Sequence, residues 1–121
     1  MEHLGHDRAP SHDWRAIQIT ELVPDKSSAR GSLVEVDVPA EVRHPTARST
    51  KCQTIYYCEH GALSFEVEGR AFEVGPGDVV VIEPGEWYSY ENRGDREVRL
   101  LSFNVPPYDS GATEVREEAA S

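Results

Sequence analysis

The sequence predicts an all-β fold, a sandwich or barrel of about seven or eight short strands joined by tight turns. Three observations predict it. Apolar residues recur at every second position along the runs between residues 14 and 108, the period of a strand with one buried face. Prolines and glycines fall between those runs, where turns need them. No segment carries a long apolar helical stripe.

Taken in order, residues 1–13 are polar, include His3, His6 and His12, and read as an N-terminal tail. Ile17 and Ile19 alternate with Gln18 and Thr20. Val34, Val36 and Val38 alternate with Glu35 and Asp37, which places the two acids on an outer face. Leu63, Phe65 and Val67 lead into Glu68-Gly69, a hairpin turn, and Phe72 and Val74 return. Gly75 to Asp78 (GPGD) turns the chain into Val79 to Ile82 (VVVI), whose unbroken apolar run predicts a strand covered on both faces. Glu83 to Glu86 (EPGE) is a further turn, and strands follow at WYSYEN and VRLLSFNV. The closing SGATEVREEAAS has weak helix potential and no apolar stripe, so it reads as frayed or as a short surface helix. The organisation is therefore a tail at 1–13, one barrel domain at 14–108 and a tail at 109–121.

The chain has 121 residues, enough for one core. Acids outnumber bases 22 to 12, a formal charge of −10. Such a surface repels a nucleic-acid duplex. No run approaches the ~18 apolar residues of a membrane span, and the first residues lack the apolar centre of a signal peptide. The expectation is a cytoplasmic protein with a small-molecule partner, no nucleic acid and no membrane. Cys52 and Cys58 fit that compartment as free thiols.

The block from Tyr56 to Asn92 resembles the cupin family of small jelly-roll barrels. Its second motif, G-x5-P-x-G-x2-H-x3-N, falls on Gly77, Glu83, Gly85, Tyr88 and Asn92. Both glycines and the asparagine match. Glu83 replaces the first proline and Tyr88 replaces the metal-binding histidine. In the first motif, G-x5-H-x-H-x3 or 4-E-x6-G, counting back from Gly61 puts Thr54 at the glutamate and the two histidines near Arg48 and Thr50. The resemblance thus implies a jelly-roll β-barrel whose four metal ligands are all replaced, with no metal and no cofactor. His44 and His60, the histidines within the domain, are expected in loop and rim positions and not at ligand spacing.

If the family register holds, Arg48, Thr50, Cys52, Thr54, Tyr56, Cys58, Tyr88 and Tyr90 point into the cavity, and Trp87 packs outside. Tyr88 beside Arg48 is then a candidate acid or, with a lowered pKa, a base. Glu83 is a candidate base at the cavity mouth. Thr50, Thr54, Tyr56 and Tyr90 are candidate ligand-binding residues, since phenols offer a flat apolar face and a hydroxyl. Each has a plain structural alternative: tyrosines suit strands, Glu83 suits a solvated turn, and a slip of one residue turns Arg48 to solvent.

These residues support a metal-independent, non-redox enzyme: an isomerase, epimerase, cyclase or dehydratase acting on a small metabolite of bacterial secondary or sugar metabolism. One alternative is a non-catalytic module that binds a sugar or similar metabolite. Another is a metal-dependent cupin, a dioxygenase or isomerase, with rearranged ligands. A homodimer paired through edge strands is expected.

Overall fold

The structure, a computed structural model, describes residues 1–116. Among them are eleven strands: β1 (Ser11–Trp14), β2 (Ile17–Val23), β3 (Ser32–Val38), β4 (Arg43–Ser49), β5 (Gln53–His60), β6 (Leu63–Val67), β7 (Arg70–Val74), β8 (Val79–Ile82), β9 (Tyr88–Glu91), β10 (Val98–Val105) and β11 (Thr113–Arg116). Two 3-10 turns, at His6–Arg8 and Ser110–Ala112, are the helical elements described. No described helix is long and apolar enough to cross a membrane.

The strands form two facing antiparallel sheets. One has the order β1-β2-β3-β10-β5-β8, the other β11-β4-β9-β6-β7. Alternation decides which side chains meet between them. Thr54, Tyr56 and Cys58 of β5 point inward, as do Val98, Leu100, Ser102 and Asn104 of β10. Phe65, Leu63, Leu100, Val38 and Val98 are almost without exposure and form the centre of the core. Glu68 and Gly69 both have positive φ, as a two-residue hairpin turn between β6 and β7 requires.

Asn92, the motif asparagine, is a structural post. It is 1% exposed; its amide donates to the carbonyls of Val38 and Arg96, and its carbonyl accepts from the Gly94 N–H. Gly61 closes the turn from β5 to β6 at φ +88°, where a Cβ would lie 2.6 Å from Val98 Cγ2. Gly61→Ala is expected to cost about 2 kcal/mol from left-handed backbone and overpacking combined, read as a lower urea midpoint at unchanged slope.

Three expectations differ from what is seen. The segment taken as a tail at 1–13 contributes to β1, which pairs with β2 from Ser11↔Thr20 to Trp14↔Ile17. His6 Nε2 also meets Glu35 Oε1 at 2.8 Å, so this end lies along the sheet. At the other end β11 pairs with β4, from Thr113↔Ser49 to Arg116↔Thr46; the remainder of the expected tail, 117–121, lies outside the described residues. Finally, β8 is an edge strand. Val80 and Ile82 are buried, but Val79 and Val81 are 56% and 52% exposed. The run VVVI is therefore covered on one face only.

Candidate active site

Between the sheets lies a cavity of about 200 Å³. Trp14, Ile17 and Ile19 form one wall. His44, Tyr88 and Tyr90 come from the opposite sheet, and Tyr56, Ser102 and Asn104 from the centre of the first. Glu21 and Asp25 also line it.

The aromatic groups form one cluster. His44 packs against Tyr90 with ring centroids 4.6 Å apart, against Trp14 at 5.1 Å and against Tyr88 at 5.3 Å. Tyr56 and Tyr88 share a hydrogen bond, hydroxyl to hydroxyl, at 3.0 Å. Burial pushes all three phenols, Tyr56, Tyr88 and Tyr90, well above the ordinary tyrosine range. They stay protonated, so each can donate a proton, and none is a base at neutral pH. The option of Tyr88 as a lowered-pKa base is thereby removed.

His44 is shifted the opposite way in charge terms. Burial lowers its pKa to about 4, with smaller contributions from the charges of Arg43 and Arg15, against a raising effect of the Pro45 carbonyl. Its Nδ1 lies 2.7 Å from that carbonyl oxygen, and a bond to a carbonyl requires Nδ1 to carry the proton. Nε2 then holds the lone pair. His44 is among the residues that line the cavity.

Of the residues selected from sequence, Tyr56, Tyr88 and Tyr90 meet at the cavity. Thr54 stands just behind it: its hydroxyl donates to Asn104 Oδ1 at 2.7 Å and fixes which way that lining amide faces. Arg48 does not enter. Its Nε donates to Glu114 at 2.9 Å, and its guanidinium lies 4.5 Å from the Trp87 ring centroid, which Arg116 also covers at 4.2 Å. The cause is an irregularity in β4. The pairing with β9 shifts between His44 and Ala47, so both of these residues face the interior although they are three apart, and Arg48 turns out. Thr50 is exposed and donates to the Ala112 carbonyl at 3.1 Å. Glu83 is an exposed turn residue that accepts from Gln53 Nε2 at 2.7 Å, with no approach to the cavity. Cys52 and Cys58 are buried free thiols outside the lining, and burial raises Cys58 further from reactivity.

His44, Trp14, Ser102 and Asn104 are site residues that the sequence reading passed over. His44 was assigned to a loop because Pro45 follows it. Pro45 instead sits at the strand irregularity, a position where a missing N–H is tolerated, and His44 pairs directly with Tyr90.

The donor set does not fit a divalent metal. Such an ion requires several imidazole, thiolate or carboxylate donors converging on one point. Among the described residues no group of three or more His, Cys, Asp or Glu side chains is so placed. His44 has protonated phenols for neighbours, and His12 is the other imidazole on the lining.

Comparison with known proteins agrees with the architecture. The uncharacterized protein MJ1618 of Methanocaldococcus jannaschii is 30% identical over 86 residues, covering 71% of this chain and 69% of that protein. Streptomyces PAC13, a nucleoside dehydratase, superposes with a TM-score of 0.83 at 12% identity, over 99% of this chain and 94% of that one. Its structures with uridine include a histidine-to-glutamine variant and two tyrosine-to-phenylalanine variants. KdgF from Halomonas sp. superposes with a TM-score of 0.79 at 16% identity, over 92% and 98% of the two chains. The family model for the cupin domain matches residues 34–104. With that match over more than half its length, on two facing jelly-roll sheets, this chain belongs to the cupin family.

Proposed function

We propose that this chain is an enzyme of acid–base, non-redox chemistry without a metal: it eliminates water from a small hydroxylated, carbonyl-bearing metabolite held in the cavity. One observation carries the reading. Adjacent groups have their proton affinities pushed apart, His44 toward the neutral acceptor and Tyr56, Tyr88 and Tyr90 toward the protonated donor. Such a separation assigns base and acid.

In the proposed step His44 Nε2 removes a proton from the carbon next to the carbonyl. The electron pair left behind forms a carbon–carbon double bond as the neighbouring C–O bond breaks. Tyr88 protonates the departing hydroxyl, which leaves as water. The imidazolium then returns its proton to the Tyr88 phenolate, and the enzyme is restored with no electrons gained or lost. An imidazole of such low pKa is a weak base, so the proton it takes must be activated. That is why a carbonyl is required of the substrate. The PAC13 variants with uridine point the same way: a histidine and two tyrosines were altered in a nucleoside dehydratase of the same fold, and this cavity is lined by His44 beside Tyr56, Tyr88 and Tyr90.

The test is a panel of carbonyl-bearing sugars and nucleosides, scored by mass spectrometry for loss of water. Tyr88→Phe is expected to lower turnover roughly 10- to 100-fold with affinity nearly unchanged. The loss stays moderate because the Tyr56 hydroxyl, 3.0 Å away, can donate in its place. Tyr56→Phe/Tyr88→Phe together should lose far more. Equal losses of turnover and affinity would reduce the cavity to a binding site, and a panel with no dehydrated product would sink the elimination.

A further inference from the structure

We infer that the cavity selects by charge: its substrates are unphosphorylated and uncarboxylated, and anionic metabolites are excluded. The inference deepens the proposed function and rests on the same cavity. Among the described residues, no lysine or arginine lines the cavity. The ionisable groups there are Glu21, Asp25, two imidazoles and tyrosine phenols. His44 stays neutral until pH falls toward about 4, and Glu21 and Asp25 bring two carboxylates to the lining. Around them lies a chain with a formal charge of −10. A phosphate or carboxylate entering would lose water and gain no lining cation in return. It would also approach against the protein's field.

The nearby cations are engaged elsewhere. Arg48 lies outside with Glu114 and Trp87. Arg43 reaches the Thr46 hydroxyl at 3.4 Å, and Arg15 lies over the Trp14 ring at 5.4 Å. Both influence His44, yet neither lines the cavity.

The polar lining is instead suited to neutral heteroatoms. Because Thr54 donates to Asn104 Oδ1, the Asn104 NH₂ is left to donate into the cavity. It suits the carbonyl or ring oxygen of an uncharged sugar or heterocycle. Ser32 and Ser102 add hydroxyls on the same side.

The experiment uses matched pairs differing by one anionic group, such as uridine against uridine 5′-monophosphate and glucose against glucuronate. Binding is read by calorimetry and by the emission of Trp14, which lines the cavity. The neutral member is expected to bind at least about tenfold more tightly. The gap should narrow at high salt and in Glu21→Gln/Asp25→Asn. Tighter binding of the anionic member overturns the inference, and its loss in Arg15→Ala would show which cation had been recruited. Failure of every neutral member to bind overturns it too. Because this readout is binding, it separates from the acid–base reading, which stands or falls on turnover in the tyrosine variants.

Discussion

His44→Gln is expected to lower kcat by roughly 10²- to 10⁴-fold while leaving KM within about threefold, the loss typical of a positioned general base. Glutamine keeps a polar side chain of similar reach but cannot accept and hold a proton. The second expectation from the same residue is a pH profile. A histidine base of ordinary pKa loses activity below about pH 6.5. Burial holds His44 near 4, so kcat/KM of the wild type should stay level through pH 5 and fall only toward pH 4. A steady-state profile from pH 4 to 8, with folding followed by fluorescence at each point, checks both. An acid limb centred near 6.5 would mean that the imidazole is solvated. An unchanged kcat in His44→Gln would remove it from the chemistry.

The sequence revealed the fold because the jelly-roll strands alternate plainly and its turns carry Gly and Pro at the bends. It revealed part of the cavity for the same reason. On β5 the pairing with β8 runs without a shift from Thr54↔Ile82 to Tyr57↔Val79, so parity alone puts Thr54 and Tyr56 inside. Tyr88 and Tyr90 follow likewise from the motif strand. On β4 parity fails. One irregularity, between His44 and Ala47, exchanges the sides of everything beyond it. Arg48 left the cavity through that single local feature, which no periodicity can register; His44, of the same parity, was missed because Pro45 made its segment read as a loop. The outer strand β1 was hidden differently. Ser-His-Asp-Trp has no apolar alternation, and what orders it is main-chain pairing with β2 together with the Trp14–His44 contact. Val79 and Val81 were read as covered because a central and an edge strand can share a composition; only the order of strands in the sheet separates them.

The same buried imidazole should make the fold sensitive to mild acid. In the unfolded chain His44 binds its proton near pH 6.5; in the folded chain it resists until about pH 4. Its contribution to stability is therefore complete above pH 6.5 and is lost progressively as pH falls toward 4, where the folded form also takes the proton. Across that window the loss amounts to about 3 kcal/mol. Carboxylates add their own acid sensitivity, chiefly at lower pH. The variant His44→Gln isolates the histidine, since it keeps the carboxylates and removes the imidazole. Urea unfolding at pH 7, 5.5 and 4 should show the wild type losing about 3 kcal/mol more than His44→Gln over that range. The variant starts lower at pH 7, having lost a well-packed ring, so the two stabilities converge as pH falls. Parallel loss in both proteins would place His44 in contact with bulk water, and with it would go the neutral acceptor on which the proposed elimination depends.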